Sequence, residues 1–409
     1  MRAHLPRRRT ERRGLRLWPV GTVLVLAFTA AILVAAAVFY TGWDLLGARG
    51  LKPEHRIDSK TLFDLVKLSF GVVAGAGALV ALVVAYRRQR VDEDGALREA
   101  TRLHTERFTT AVSQLGDESA AVRLGGVHAL AGLADDAPTR DLRQTCIDVL
   151  CAYLRLPYTA EADLPADDAD ARHQHLALRE VRHTVIRVIG NHLRLPDEHP
   201  HSWQGHDFDF TDVIFDGGDL DGAVFSGGRA SFRGAVFSGG TVIFSRARFS
   251  GAAVDFTEAV FSGGTVSFFD AVFSGRTVIF VGAVFSGGTV SFTHARFSGS
   301  HVICTAAEFS GGAVDFLGAK FSGGAVDLGA VFSGGTVSFT AAEFSGGDVD
   351  FLGAEFSGGE VDFRGAQFSG GAVDLRGAAG EPPTNLVPPA GAPIPNGLRL
   401  APAWYPAGS

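Results

Sequence analysis

Few residues in this chain have the types and spacing to do chemistry. His199, His201 and His206 lie close together with His192 nearby, and imidazoles so grouped could ligate a metal ion. Nothing supplies a matching second half, and Cys146 and Cys151 have the wrong spacing for a zinc site. The Ser-Gly-Gly triplets that recur from Ser226 onward invite a phosphate-loop reading, yet no GxxxxGK[ST] follows and no strand-to-helix switch stands behind them. The serines recur because the sequence repeats, and no histidine or carboxylate accompanies them consistently, so none is marked as a nucleophile. Carboxylates are the remaining group: from Glu308 to Arg376 there are ten acids against three basic residues, among them Asp315, Asp327, Glu343, Asp350, Glu355, Glu360 and Asp362. The reading is no enzyme, with no catalytic, cofactor-binding or metal-binding residue assigned.

The elements that would position these groups belong to one repetitive segment. Of 32 phenylalanines, 27 follow residue 207, and they fall into two registers of period twelve. One contains Phe225, Phe237, Phe249 and Phe261; the other, seven residues later in each unit, contains Phe232, Phe244, Phe256 and Phe268. A one-residue deletion between Leu328 and Phe332 resets the count, and a local kink or bulge is expected there. Periodicity of this kind means stacked units that bury a shared core. Cys304 and Leu328 stand in phenylalanine slots, and Cys304 reads as a small buried hydrophobe.

The repeat opens in regular fives, Phe210, Phe215, Leu220 and Phe225. DFTDV, IFDGG, DLDGA and VFSGG resemble the A(D/N)LXX units of pentapeptide-repeat proteins. That resemblance implies a right-handed, four-sided β-helix with the central Leu or Phe of each five pointing inward. Two twelve-residue units then make one coil whose sides alternate between fives and sevens. The extra pair of each seven is accommodated at Ser-Gly-Gly, where glycine accepts positive φ. A flattened twelve-residue coil is the alternative. With two units to a coil, the segment makes about seven coils.

Ahead of the repeat, residues 18–41 form an uncharged apolar run long enough to cross a bilayer, preceded by seven arginines and one acid in residues 1–17. A second run, 68–86, is followed by Arg87, Arg88 and Arg90. Positive charge at the outer end of both puts both termini in the cytoplasm, with 42–67 as an external loop and the plasma membrane as location. A cleaved signal peptide over residues 1–40 is the competing reading. Gly71 and Gly75 form a small-xxx-small pattern that would suit a homodimer. Residues 92–195 show helical spacing: four helices, the second with Asp117 as N-cap and a HEAT-like VRLGGVHALAGLA run, the third over 140–156 and the fourth over 171–195. Residues 157–170 read as an acidic loop.

The repeat is assigned to 207–378, and residues 379–409, holding half of the 16 prolines, read as a disordered tail. Three cysteines without a paired framework suit a reducing compartment. Arginine richness beside four lysines fits a G+C-rich bacterial genome. The expected fold class is α+β multidomain: two transmembrane helices, a small helical domain and a β-helix. The expected function is a membrane-anchored protein-interaction scaffold with an unidentified protein partner and no direct nucleic-acid binding. The alternative is regulation of a DNA topoisomerase by acidic mimicry, a property known among proteins the repeat resembles.

Overall fold

The computed structural model describes residues 20–45, 58–161, 164, 168–251, 253–275, 277–388 and 393–405. The expected basic head lies outside them, as do residues 46–57 of the expected outer loop. The chain divides into two compact units, Met1–Ala100 and Thr101–Ser409.

In the first unit, α1 spans Val20–Leu45, and the second helix, α2, runs Ser59–Leu115. An 18-residue window of α2 has mean hydropathy 2.3, long and apolar enough to cross a bilayer, and α2 is the one described helix that meets this test. Two corrections follow for the expected boundaries. The helix begins at Ser59, inside the stretch expected as a loop to Lys67, and it does not stop at Tyr86 but continues unbroken through Arg87–Arg90 and Gly95. No proline or cap interrupts it there, and a glycine inside a helix costs only about 1 kcal/mol.

In the second unit the last turns of α2 join α3 (Ala120–Asp135), α4 (Arg140–Leu154) and α5 (Ala169–Arg194). Each helix buries one stripe: Val127, Leu130 and Leu133; Cys146, Ile147 and Leu150; Val181, Val185 and Ile189. Helix α3 is capped later than expected. Asp117 accepts a hydrogen bond from the Ser119 N–H at 2.8 Å, and Ser119 takes the N-cap position. At α4 the Thr139 side chain accepts from the Leu142 N–H, and at α5 Asp168 accepts from Ala171. Gly126 lets the end of α2 pass against α3, since a Cβ there would lie 2.5 Å from the Leu115 nitrogen.

From Phe208 the chain winds as a right-handed, four-sided β-solenoid of about eight turns. Short strands pair in parallel with those one coil away: Phe237 stands beside Phe261, and Phe261 beside Phe285, each exactly two repeat units on. The first coil is shorter, Phe215 pairing with Phe237, because it is built from three fives and one seven. The twelve-residue coil is thereby excluded. Four inward columns fill the interior, and the one from Phe215 to Phe356 stacks at centroid distances of 4.6 to 5.0 Å. Offset aromatic stacking and parallel backbone pairing hold neighbours together where no single unit could stand alone.

The deletion near Leu328 does not kink the stack. The usual turn closes with Ala319 N–H on Phe316 O; here Ala330 N–H reaches Leu328 O at 2.7 Å, one residue tighter. Pairing stays in register on both sides, Phe309 with Phe332 and Val326 with Val349. Register shifts occur instead at the corners between Phe297 and Ser298 and between Phe321 and Ala325. Two strands there, Lys320–Asp327 and Glu343–Asp350, run round the corner and join two sides into one sheet of 14 strands.

The expected disordered tail needs correction over its described residues. Ala379–Gly380 and Leu398–Arg399 pair with the coil below, and Leu386, Leu398 and Leu400 fill inward slots. Trp404 closes one phenylalanine column, edge-on to Phe356 at 5.7 Å, with its indole N–H on Gly380 O at 3.0 Å. These additions take the expected seven coils to about eight. Composition pointed to disorder because the prolines outweighed four well-spaced apolar residues.

Candidate interaction surfaces of the solenoid

Two kinds of corner glycine let successive coils approach. The second glycine of each triplet is left-handed, as at Gly264 (φ 67°) and Gly288 (φ 68°). A Cβ on Gly264 would lie 2.4 Å from Gly240 O. Beyond the first coils the first glycine is constrained as well, with a Cβ on Gly287 falling 2.4 Å from Ser262 O, whereas Gly239 has nothing within 4 Å. These corners are packed backbone, and the first glycine's N–H pairs with the coil beneath, as Gly263 does with Phe237 O and Gly287 with Phe261 O.

The acids have a structural task that the sequence reading missed. Asp209, Asp219, Asp255, Asp315, Asp327, Asp350, Asp362 and Asp374 each accept a hydrogen bond from the backbone N–H two residues on, at 2.7 to 3.1 Å. Ser267, Ser291 and Ser338 make the same contact elsewhere in the stack. These are Asx- and Ser-turns that start the bend after many of these strands, Ile243, Ile279 and Ile303 taking the same place elsewhere. The signal was available in the fixed place of Asp or Ser one residue before the inward slot. Glu308 and Glu355 lie on a second side, Glu360 on a third, and Glu343 on the fourth beside Lys320 (2.8 Å). The carboxylates therefore spread over all four sides instead of forming one acidic face.

Asp374 shows how engaged these groups are. Hydrogen bonds from Arg376, against a small opposing effect of burial, hold its carboxyl down at about 2.

The histidines do not gather as one set, although His192 and His201 both face Asp135. His192 uses Nδ1 on Val188 O and Nε2 on Asp135 and stacks on Trp203 at 4.1 Å. His206 Nδ1 meets Gln144 Oε1 at 3.0 Å, and burial, aided by Arg140 and Arg143, lowers its pKa to about 4. His199 and His201 lie edge-on to each other, and His201 reaches Asp135 at 3.7 Å. Among the described residues no group of three or more His, Cys, Asp or Glu is placed to hold a metal. The three cysteines are separate and buried, and burial raises their thiols to about 11 for Cys146 and about 12 for Cys151 and Cys304. Cys304 and Leu328 follow each other in one inward column and line an apolar cavity of ≈ 20 Å³.

The helical module closes the first coil through buried polar contacts. Asp216 accepts from Tyr158 Oη (2.5 Å) and Arg179 Nε (3.0 Å) and pairs with His183 Nε2 (3.0 Å). Burial pushes its carboxyl up, but the hydrogen bonds from His183 and Tyr158 and the charges of His183 and Arg179 outweigh that and bring it to about 2. Arg182 lies over the Tyr158 ring and donates to Leu154 O and Ile214 O. In the first unit, Gly71 and Gly75 have nothing within 4 Å of an added Cβ and line a groove with Phe28, Ala31 and Ile32 of α1.

A four-sided parallel solenoid with an aromatic interior, capped at both ends, belongs to the class of stacked-repeat β-solenoids. Residues 244–296 match the family model for pentapeptide repeats, in nine copies, and the solenoid is of the pentapeptide-repeat kind. Comparisons with curated proteins and with solved structures returned no match.

Proposed function

We propose that this protein is a membrane-anchored, non-enzymatic scaffold whose solenoid presents binding columns to other proteins at the cytoplasmic face. The observation that carries the reading is the state of the ionisable groups. The repeated aspartates are spent on turns, the histidines on the helix junction, and the thiols are buried, so no set of reactive side chains converges on a cleft among the described residues. A stiff stack with regularly spaced outer positions suits binding instead.

Anchoring rests on the apolar window of α2 and on the uncharged run of α1, read as two spans with both termini inside. The small-xxx-small spacing of Gly71 and Gly75, with room for a close-packed helix beside them, supports a homodimer within the membrane. Acidic mimicry of nucleic acid has less in its favour, because the carboxylates are dispersed and turn-bound. The test is a pull-down from membranes with the intact chain and with a form lacking 207–405. Partners recovered only with the intact chain support the scaffold; identical partner sets overturn it.

A further inference from the structure

Among the described basic residues of the repeat, six are paired with acids: Arg229, Arg233, Arg246, Lys320, Arg364 and Arg376. Two exposed arginines, Arg248 and Arg296, have no such partner. Both lie in one outward column, with Val272 between them and Lys320 on the next rung. Separately, Phe269 and Leu317 are exposed at 41% and 38%, although the other large apolar residues of the repeat, Leu352 apart, are turned inward or half covered. They share the adjoining turn column, with Thr293 between them. The unpaired cations and the exposed apolar side chains thus meet on one edge, each set two rungs apart.

We propose that this edge binds an extended acidic peptide segment that carries apolar residues between its carboxylates. Two rungs measure about 10 Å at the ordinary strand spacing. A polyproline-II segment has three residues per turn and spans about 9 Å in one turn, so acids three apart fall on one face and reach Arg248 and Arg296 while leucines next to them, also three apart, meet Phe269 and Leu317. His294, edge-on to Phe269 at 5.9 Å, closes the space between them.

A polynucleotide fits less well. Asp270 shares the edge, Glu343 already holds Lys320, and the repeat has 19 acids against nine basic residues over 207–376, which repels a long polyanion. This proposal rests on the scaffold reading and specifies its partner chemistry.

The experiment uses the full chain in detergent and a fluorescein-labelled (Glu-Leu-Ala)4 peptide followed by anisotropy, with (Lys-Leu-Ala)4 and a twelve-nucleotide single-stranded DNA as comparisons. The expected result is saturable, salt-sensitive binding of the glutamate peptide alone. Arg248→Glu with Arg296→Glu should weaken it by about tenfold or more, Phe269→Ser by about fivefold, and Asp270→Asn should strengthen it. Leu352→Ser, on a different edge, should leave it unchanged. Failure of the peptide to bind, equal binding by the double arginine variant with an unaltered melting curve, or tighter binding of the DNA would each overturn the proposal. If the membrane pull-down still depends on the solenoid while the arginine variant recovers the same partners, the edge is wrong and the scaffold stands.

Discussion

Asp216 accepts a hydrogen bond from Tyr158 at 2.5 Å, across the boundary between the helical module and the first coil. With Arg179 and His183 on the same carboxylate, the contact makes the cap and the stack one packed body. Asp216→Asn is expected to lose roughly 3 kcal/mol, since it leaves buried donors short of a charged acceptor. A denaturant melt that matches the unaltered chain would refute this.

The same carboxyl sets a pH dependence. Its folded value of about 2 lies below the ordinary value of 3.8, so its contribution is fully present above about pH 4. It is lost as pH falls through about 2. The window is therefore pH 4 to 2, with a loss of about 2 kcal/mol. Asp216→Asn should flatten the stability profile in that window, as followed by circular dichroism.

Corner glycines should differ sharply by position. Gly264→Ala forces a Cβ within 2.4 Å of Gly240 O at a φ of 67°, and a loss of about 3 kcal/mol or more is expected. Gly239→Ala, with nothing within 4 Å, should change the melting temperature little.

The turn role of the acids separates charge from hydrogen bonding. Asp315→Asn keeps an acceptor for the Leu317 N–H and should be nearly neutral in stability, whereas Asp315→Ala should lose about 1 kcal/mol. Equal losses from both would show that charge, not the turn, is what matters there.

Trp404→Ala removes the ring that closes the column above Phe356 and the donor to Gly380 O. A cost of about 3 kcal/mol is expected, confined to the last coil. Hydrogen exchange should report it as faster exchange over residues 379–405 with the first coils unaffected; uniform protection would contradict the capping role.

Much of the architecture could be read in advance because it is periodic. Two phenylalanines in most twelve-residue units and the opening fives dictate inward columns, and glycine at the second corner position dictates the left-handed backbone observed at Gly264 and Gly288. The helical stripes of α3, α4 and α5 follow from spacing in the same way. What escaped was aperiodic. Leu386, Leu398, Leu400 and Trp404 are too sparse to overcome a proline-rich composition, yet stacked on a finished coil they find backbone partners and apolar slots.

The sequence by itself determined the repeat, because side-chain size and glycine's freedom act locally and recur. Only the tertiary structure decided which outer residues share a face. Arg248 and Arg296, distant in the chain, come to lie two rungs apart because parallel pairing recurs once per coil. Asp216 meets Tyr158 across 58 residues because the first coil needs a lid. Those contacts depend on winding and docking, where the free energy is gained between units and no single stretch of sequence carries it.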